Sequence, residues 1–192
     1  DYYDPRNSYF NQVLERRMGI PITLSAMLMA IGQRVGMQID GIGMPGHFIV
    51  MAQSPREEIL IDPFNGGRIL TQQDCQYLIE QATGHSVEAS TLKLEPLPLG
   101  LIVLRMLGNL KSIYWRKLDW TRAARIIERI RQISPHDVQL RRDLGICQVH
   151  RAQPGKAIDH LRAYLDSVPE ADDAETIRKL LRGAVDAVAQ WN

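Results

Sequence analysis

Cysteine is scarce in this chain. Of 192 residues only Cys75 and Cys147 are cysteines, and neither sits in a CxxC or Cys/His spacing. A disulfide framework and a zinc site are therefore disfavoured, and the expectation is a reduced, cytoplasmic protein that needs no metal or cofactor. No charge of one sign dominates: 23 Lys and Arg stand against 22 Asp and Glu, a formal net charge of +1. Phosphate backbones are held by clustered cations, so nucleic acid is not an expected partner. No apolar run approaches the roughly 18 residues of a membrane span, and no signal peptide is visible, so no membrane association is expected. The chain opens on Asp1 instead of methionine, which reads as a trimmed start with upstream residues able to matter. What remains is a globular composition, 45% apolar and 23% charged, enough for one large domain or a domain with a smaller appendage.

The most informative stretch is Gly43 to Phe64, GMPGHFIVMAQSPREEILIDPF. Two apolar runs, His47–Ala52 and Ile59–Asp62, flank a polar turn around Ser54-Pro55, the pattern of a β-hairpin. A hairpin centred on Ser54-Pro55 sets His47 opposite Asp62, at the roughly 4.5–5.5 Å Cβ spacing of cross-strand neighbours. A carboxylate there fixes an imidazole's tautomer and supports its charged form, which is the base-and-orienter half of a catalytic triad.

Around this hairpin the chain reads as follows. Asp1–Asn7 is a turn-rich lead-in, and Ser8 is placed to cap a helix over Tyr9–Arg17 that Gly19 stops. Pro21 suits the first turn of a second helix running to about Val35, where its missing N–H costs nothing. Leu24, Met27, Leu28, Ile31 and Val35 form that helix's expected buried stripe, and its apolar content on several faces makes it central. Gln38–Gly43 reads as a short strand and Asn65-Gly66-Gly67 as a turn. Thr71 with Asp74 forms a capping box for a helix through about Ala82, closed by Gly84. Prolines 96 and 98 mark a change of character, with no strand pattern beyond them. The expected domains are residues 1–95 and 96–192.

A shift of 34 residues superposes the second part on itself. Leu110 falls on Leu144, Ala123 on Ala157, Ile127 on Leu161, Ile130 on Tyr164 and Pro135 on Pro169. This is the tetratricopeptide pattern, in which a small Ala lets the paired helices approach and Pro ends the second. Gly145 supplies the expected small residue in the second copy, where the first has Lys111; Tyr114 supplies the aromatic, where the second has Gln148. Asp173–Gln190 reads as a final solvating helix. Arrays of this kind present a concave face to peptides, so a protein or peptide partner is expected there.

With a helix opening on Gly19-Ile20-Pro21, His47 on one strand and Asp62-Pro63 after the next, the first part resembles a transglutaminase-like core. More narrowly, DPRNSYFNQVLERRMGIPITLS, GMPGHF and IDPFNGG ahead of tetratricopeptide repeats resemble the bacterial SirB family. The resemblance implies an α+β, papain-like domain with a small antiparallel sheet and a central helix, followed by all-α repeats. It also implies a nucleophilic Cys at a helix N-terminus, then His, then Asp. His47 and Asp62 match that order. Counting back from Gly36 to the Gly-x-Cys position of catalytic members lands on Pro21, and proline is no nucleophile.

Substitutes are few. Ser25 lies one turn below Pro21 and is the candidate hydroxyl; Thr23 points some 200° away, and both fit buried hydroxyls bonded to backbone carbonyls. Cys75 shares an apolar stripe with Leu78, Ile79 and Ala82 and reads as inert core, as does Cys147. Asn11 and Arg17 are candidates for the substrate cleft, whereas Gln12 and Arg16 read as a solvated face. The methionines at 27, 29, 37, 44 and 51 read as core filler, and Arg122, Arg125 and Arg129 as a solvated stripe. Three functions follow: a non-catalytic binding module, an acyl-transfer enzyme with a displaced hydroxyl, or an assembly subunit.

Overall fold

The turn Met44-Pro45-Gly46-His47 explains much of the first half. Proline presets the first central position, and Gly46, at φ +69, supplies the left-handed second one. It joins β1 (Ile39–Met44) to β2 (His47–Gln53), with Met44 paired to His47. β3 (Glu58–Asp62) and β4 (Arg68–Leu70) complete an antiparallel sheet in the order β1-β2-β3-β4. The computed structural model describes residues 2–54, 57–85 and 92–190. Asp1 of the lead-in and Pro55, half of the expected hairpin centre, lie outside them, as does part of the stretch between Gly84 and the prolines.

The β2–β3 hairpin differs from the expected register by two residues. Gln53 pairs with Glu58 and Val50 with Ile61, so that row continues to set Asp62 across from Ile49 rather than His47. The loop closes over four residues, Ser54 N donating to the Glu57 carbonyl at 3.0 Å. Because side chains alternate with period two, a two-residue shift keeps His47 and Asp62 on one face.

Alternation also divides the core. Ile42, Met44, Ile49, Met51 and Leu70 pack with Cys75 and Ile79 of α3 (Gln72–Thr83), which opens on the Thr71–Asp74 capping box and closes on left-handed Gly84. Phe48 packs with Ile20, Ile22 and Ile102. Ahead of the sheet, a 3-10 turn (Pro5–Ser8) leads into α1 (Phe10–Arg16) and α2 (Pro21–Arg34). Tyr9, not Ser8, occupies the cap position of α1, and Ser8 is buried with its hydroxyl unpartnered among the described residues. The expected buried stripe of α2 is also corrected. Its buried face is Pro21, Ile22, Thr23, Ser25 and Gly32, while Ile31 and Val35 are 54% and 66% exposed. Small residues let α2 close on the sheet: a Cβ at Gly32 would lie 2.6 Å from Ile39 Cδ1. A helix apolar on several faces leaves that choice to fit.

The chain forms two compact units, Asp1–Met106 and Leu107–Asn192, dividing within α4 (Leu99–Arg116). The second unit continues with α5 (Trp120–Ile133), α6 (Gln139–His150), α7 (Pro154–Ser167) and α8 (Ala174–Ala189). The 34-residue period appears in its backbone. Leu118 and Ala152 share φ values of 54° and 53°. Asp119 N bonds the Tyr114 carbonyl and Gln153 N the Gln148 carbonyl, each at 2.9 Å. Ala123 and Ala157 are both fully buried. On α8, Arg178 and Arg182 pair with Glu175, giving a charged outer face suited to ending the stack.

Candidate functional site

Asp62 organises the site. It is 1% exposed and surrounded by donors. Its Oδ1 accepts from the backbone N–H groups of Phe64 (3.0 Å) and Asn65 (3.2 Å), and its Oδ2 from Asn65 Nδ2 (2.7 Å). This is an Asx-type turn, which is why the strand ends on Asp-Pro-Phe-Asn. The fourth donor is His47, whose Nε2 lies 2.8 Å from Oδ2. Burial pushes the Asp62 pKa up, but the Asn65 amide and then His47 outweigh it and hold the carboxyl below its ordinary value. An ionised carboxylate only accepts, so Nε2 carries a proton, and an imidazole in that tautomer has its lone pair at Nδ1. Among the described residues, no group bonds that Nδ1.

His47 is held from behind by a residue the sequence did not disclose. Arg105 Nη2 donates to the carbonyls of Met44 (2.9 Å) and His47 (3.0 Å), closing the turn that starts β2. Its guanidinium carbon lies 5.4 Å from the centre of the Phe48 ring, and burial draws its pKa down. Asn65 and Phe64 were equally unannounced, the first read only as part of a turn. The Phe64 ring meets His47 edge-on at 6.0 Å and also lines a cleft of about 410 Å³ with Arg16, Arg17, Gly19, Ile20 and Leu24.

The other candidates separate. Pro21 is the first residue of α2. Ser25 Oγ donates to the Phe48 carbonyl at 3.3 Å, as expected of a buried hydroxyl. Thr23 Oγ1 does not follow that expectation: it is buried without a partner among the described residues. Arg17 ends α1 in the left-handed region (φ 53) and lines the cleft, whereas Asn11 is exposed on α1 and does not. Arg16, expected on a solvated face, lines the cleft instead, bonding Asn7 Oδ1 at 3.1 Å with Asp4 at 3.5 Å. Cys75 and Cys147 are buried, and burial pushes their thiols up to about 11 and about 12, far from the thiolate a nucleophile needs. Among the described residues no cluster of His, Cys, Asp and Glu could hold a metal ion.

A model of the transglutaminase-like superfamily matches residues 1–108. The chain belongs to that superfamily. A tetratricopeptide-repeat model matches residues 110–182 of this transglutaminase-like chain. Its relatives include a UPF0162 protein of Xylella fastidiosa strain Temecula1, 37% identical over 93% of this chain and 64% of that protein. A UPF0162 protein of Vibrio cholerae is 29% identical over 92% of this chain and 66% of its own length. Human F-box only protein 21 is 34% identical over 59% of this chain and 18% of its own. The chain thus spans a little under two thirds of the UPF0162 relatives. No solved structure matches it.

The repeats of the transglutaminase-like chain carry a groove of their own, about 600 Å³ and mostly apolar. Val149 and Pro154 line it on one side, and Thr176, Leu180, Gly183 and Ala187 of α8 on the other. In the same unit, Lys111 and Arg142 both pair with buried Asp143, and Arg142 reaches on to Asp173 at 3.0 Å. No helix among the described residues is long and apolar enough to cross a membrane.

Proposed function

We propose that this chain is a binding member of the transglutaminase-like superfamily, one that holds ligands without transferring acyl groups. Within the superfamily we assign it to the SirB family, a reading supported by the resemblance of the motifs around Pro21, His47 and Asp62. The cleft lined by Phe64, whose ring meets His47, receives a ligand, with Arg17 in its lining, and the tetratricopeptide groove holds an extended segment of a protein partner. The carrying observation is that, among the described residues, the His47 ring hydrogen-bonds only Asp62, while proline opens the helix at the position where the resemblance puts the nucleophile. The deep burial and high pKa of both thiols support the same reading and suit a reduced, cytoplasmic setting.

The repeat half is tested by selecting a displayed random-peptide library on the intact chain. Selected peptides are expected to lose binding to Leu180→Glu, which places a charge in the apolar groove. Enrichment that ignores that substitution, or no enrichment, contradicts the proposal. A second reading, acyl transfer by a hydroxyl, draws on the lone pair that Asp62 orients at His47 Nδ1. It requires an oxygen nucleophile at that atom, and Ser25 spends its proton on Phe48.

A further inference from the structure

Most arginines of the first unit are committed to partners. Arg6 and Arg16 pair with Asp4, Arg68 with Asp74, and Arg105 with the carbonyls of Met44 and His47. Among the described residues, Arg17 and Arg34 are the exceptions, their side chains making no hydrogen bond or ion pair. Of these two, Arg17 lines the cleft of about 410 Å³ that includes Phe64. Its backbone stands at φ 53, in the left-handed region where a helix end ordinarily carries glycine. An arginine there accepts strain that glycine would avoid, and strain of this kind collects at ligand sites.

The rest of the lining says what such a cation meets. It contains no acidic side chain, and its other cation, Arg16, already contacts Asn7 Oδ1 and Asp4. Tyr2, Met18 and Phe64 line the same cleft and stand 53%, 54% and 45% exposed. One free cation in a cleft with half-exposed apolar side chains is complementary to an amphipathic anion. A guanidinium presents two parallel N–H donors, which fit the two oxygens of one carboxylate. A phosphate dianion asks for a second free cation, and Arg16 is not free. We propose that this cleft binds an apolar ligand through a single carboxylate, with Arg17 gripping the charge and Met18 and Phe64 covering the body. This rests on the reading above that the cleft receives a ligand, and adds that ligand's chemistry.

Binding of N-acetylphenylalanine, its primary amide and phenyl phosphate to the intact chain, followed by ligand-observed NMR, provides the test. The acid is expected to bind at about millimolar concentration. The amide should bind roughly tenfold or more weakly, since it forgoes the charge-assisted pair. Arg17→Gly should weaken the acid by the same factor and leave the amide unchanged. Because glycine suits φ 53, the melting temperature of that variant should not fall below that of the parent. Phe64→Ala should weaken acid and amide alike, which locates both in the cleft. Equal binding of acid and amide, dependent on Phe64 but not on Arg17, would keep the cleft as a ligand site and overturn the carboxylate assignment. Phenyl phosphate binding more tightly than the acid through Arg17 would overturn it in favour of a phosphate. Binding of no probe, or binding indifferent to Phe64→Ala, would overturn both the assignment and the reading of the cleft.

Discussion

Asp62 accepts four hydrogen bonds in a place that admits almost no water, so its charge is a sensitive reporter of the site. Asp62→Asn turns one acceptor edge into a donor facing the Asn65 amide and His47 Nε2. The expected cost is about 1–3 kcal/mol at neutral pH, read from denaturant unfolding. Because folding depresses the Asp62 pKa, the stabilisation is fully present above the unfolded value of about 3.9 and is lost as pH falls through the folded one. The gap between parent and variant should therefore be constant above about pH 5 and narrow below pH 4. A gap unchanged at low pH would mean that the carboxylate's charge contributes nothing. Arg105 shows the limit of reading residues from sequence: it meets carbonyls 58 and 61 positions away, and no local pattern encodes that reach.

At the scale of elements, two glycines predict opposite outcomes. A Cβ at Gly145 would sit 2.3 Å from Leu161 Cδ2, and Leu161 is fully buried and unable to yield. Gly145→Ala should cost about 1–3 kcal/mol through overpacking of α6 on α7. Gly183 on α8 has open space around it, so Gly183→Ala should gain up to about 1 kcal/mol from helix propensity. Thermal unfolding of both variants checks the pair; equal effects would refute the assignment of Gly145 as the close contact between repeat helices. Elements with local signatures are legible from the sequence: the Thr71–Asp74 capping box, the Asn65-Gly66-Gly67 turn and the 34-residue period. Contacts decided the rest. The periodicity of α2 could not say which apolar face would meet the sheet, and β4 is too short, at three residues, to carry an alternation. The hairpin register was missed by two, yet His47 and Asp62 still met, because alternation forgives an even slip and an imidazole spans the diagonal.

For the molecule as a whole, the superfamily core pairs His47 with Asp62 and opens α2 on proline, and the repeats carry a separate apolar groove. The central claim is that no side chain acts as a nucleophile with His47. Intact-mass analysis of the chain after treatment with broad hydroxyl- and thiol-directed electrophiles, run beside His47→Ala, tests it most directly. The account predicts that the two proteins label alike, with any modification slow and confined to partial unfolding that exposes Cys75 or Cys147. Labelling at Ser25, Thr23 or Cys75 that is present in the parent and absent in His47→Ala would contradict it and make the chain an enzyme.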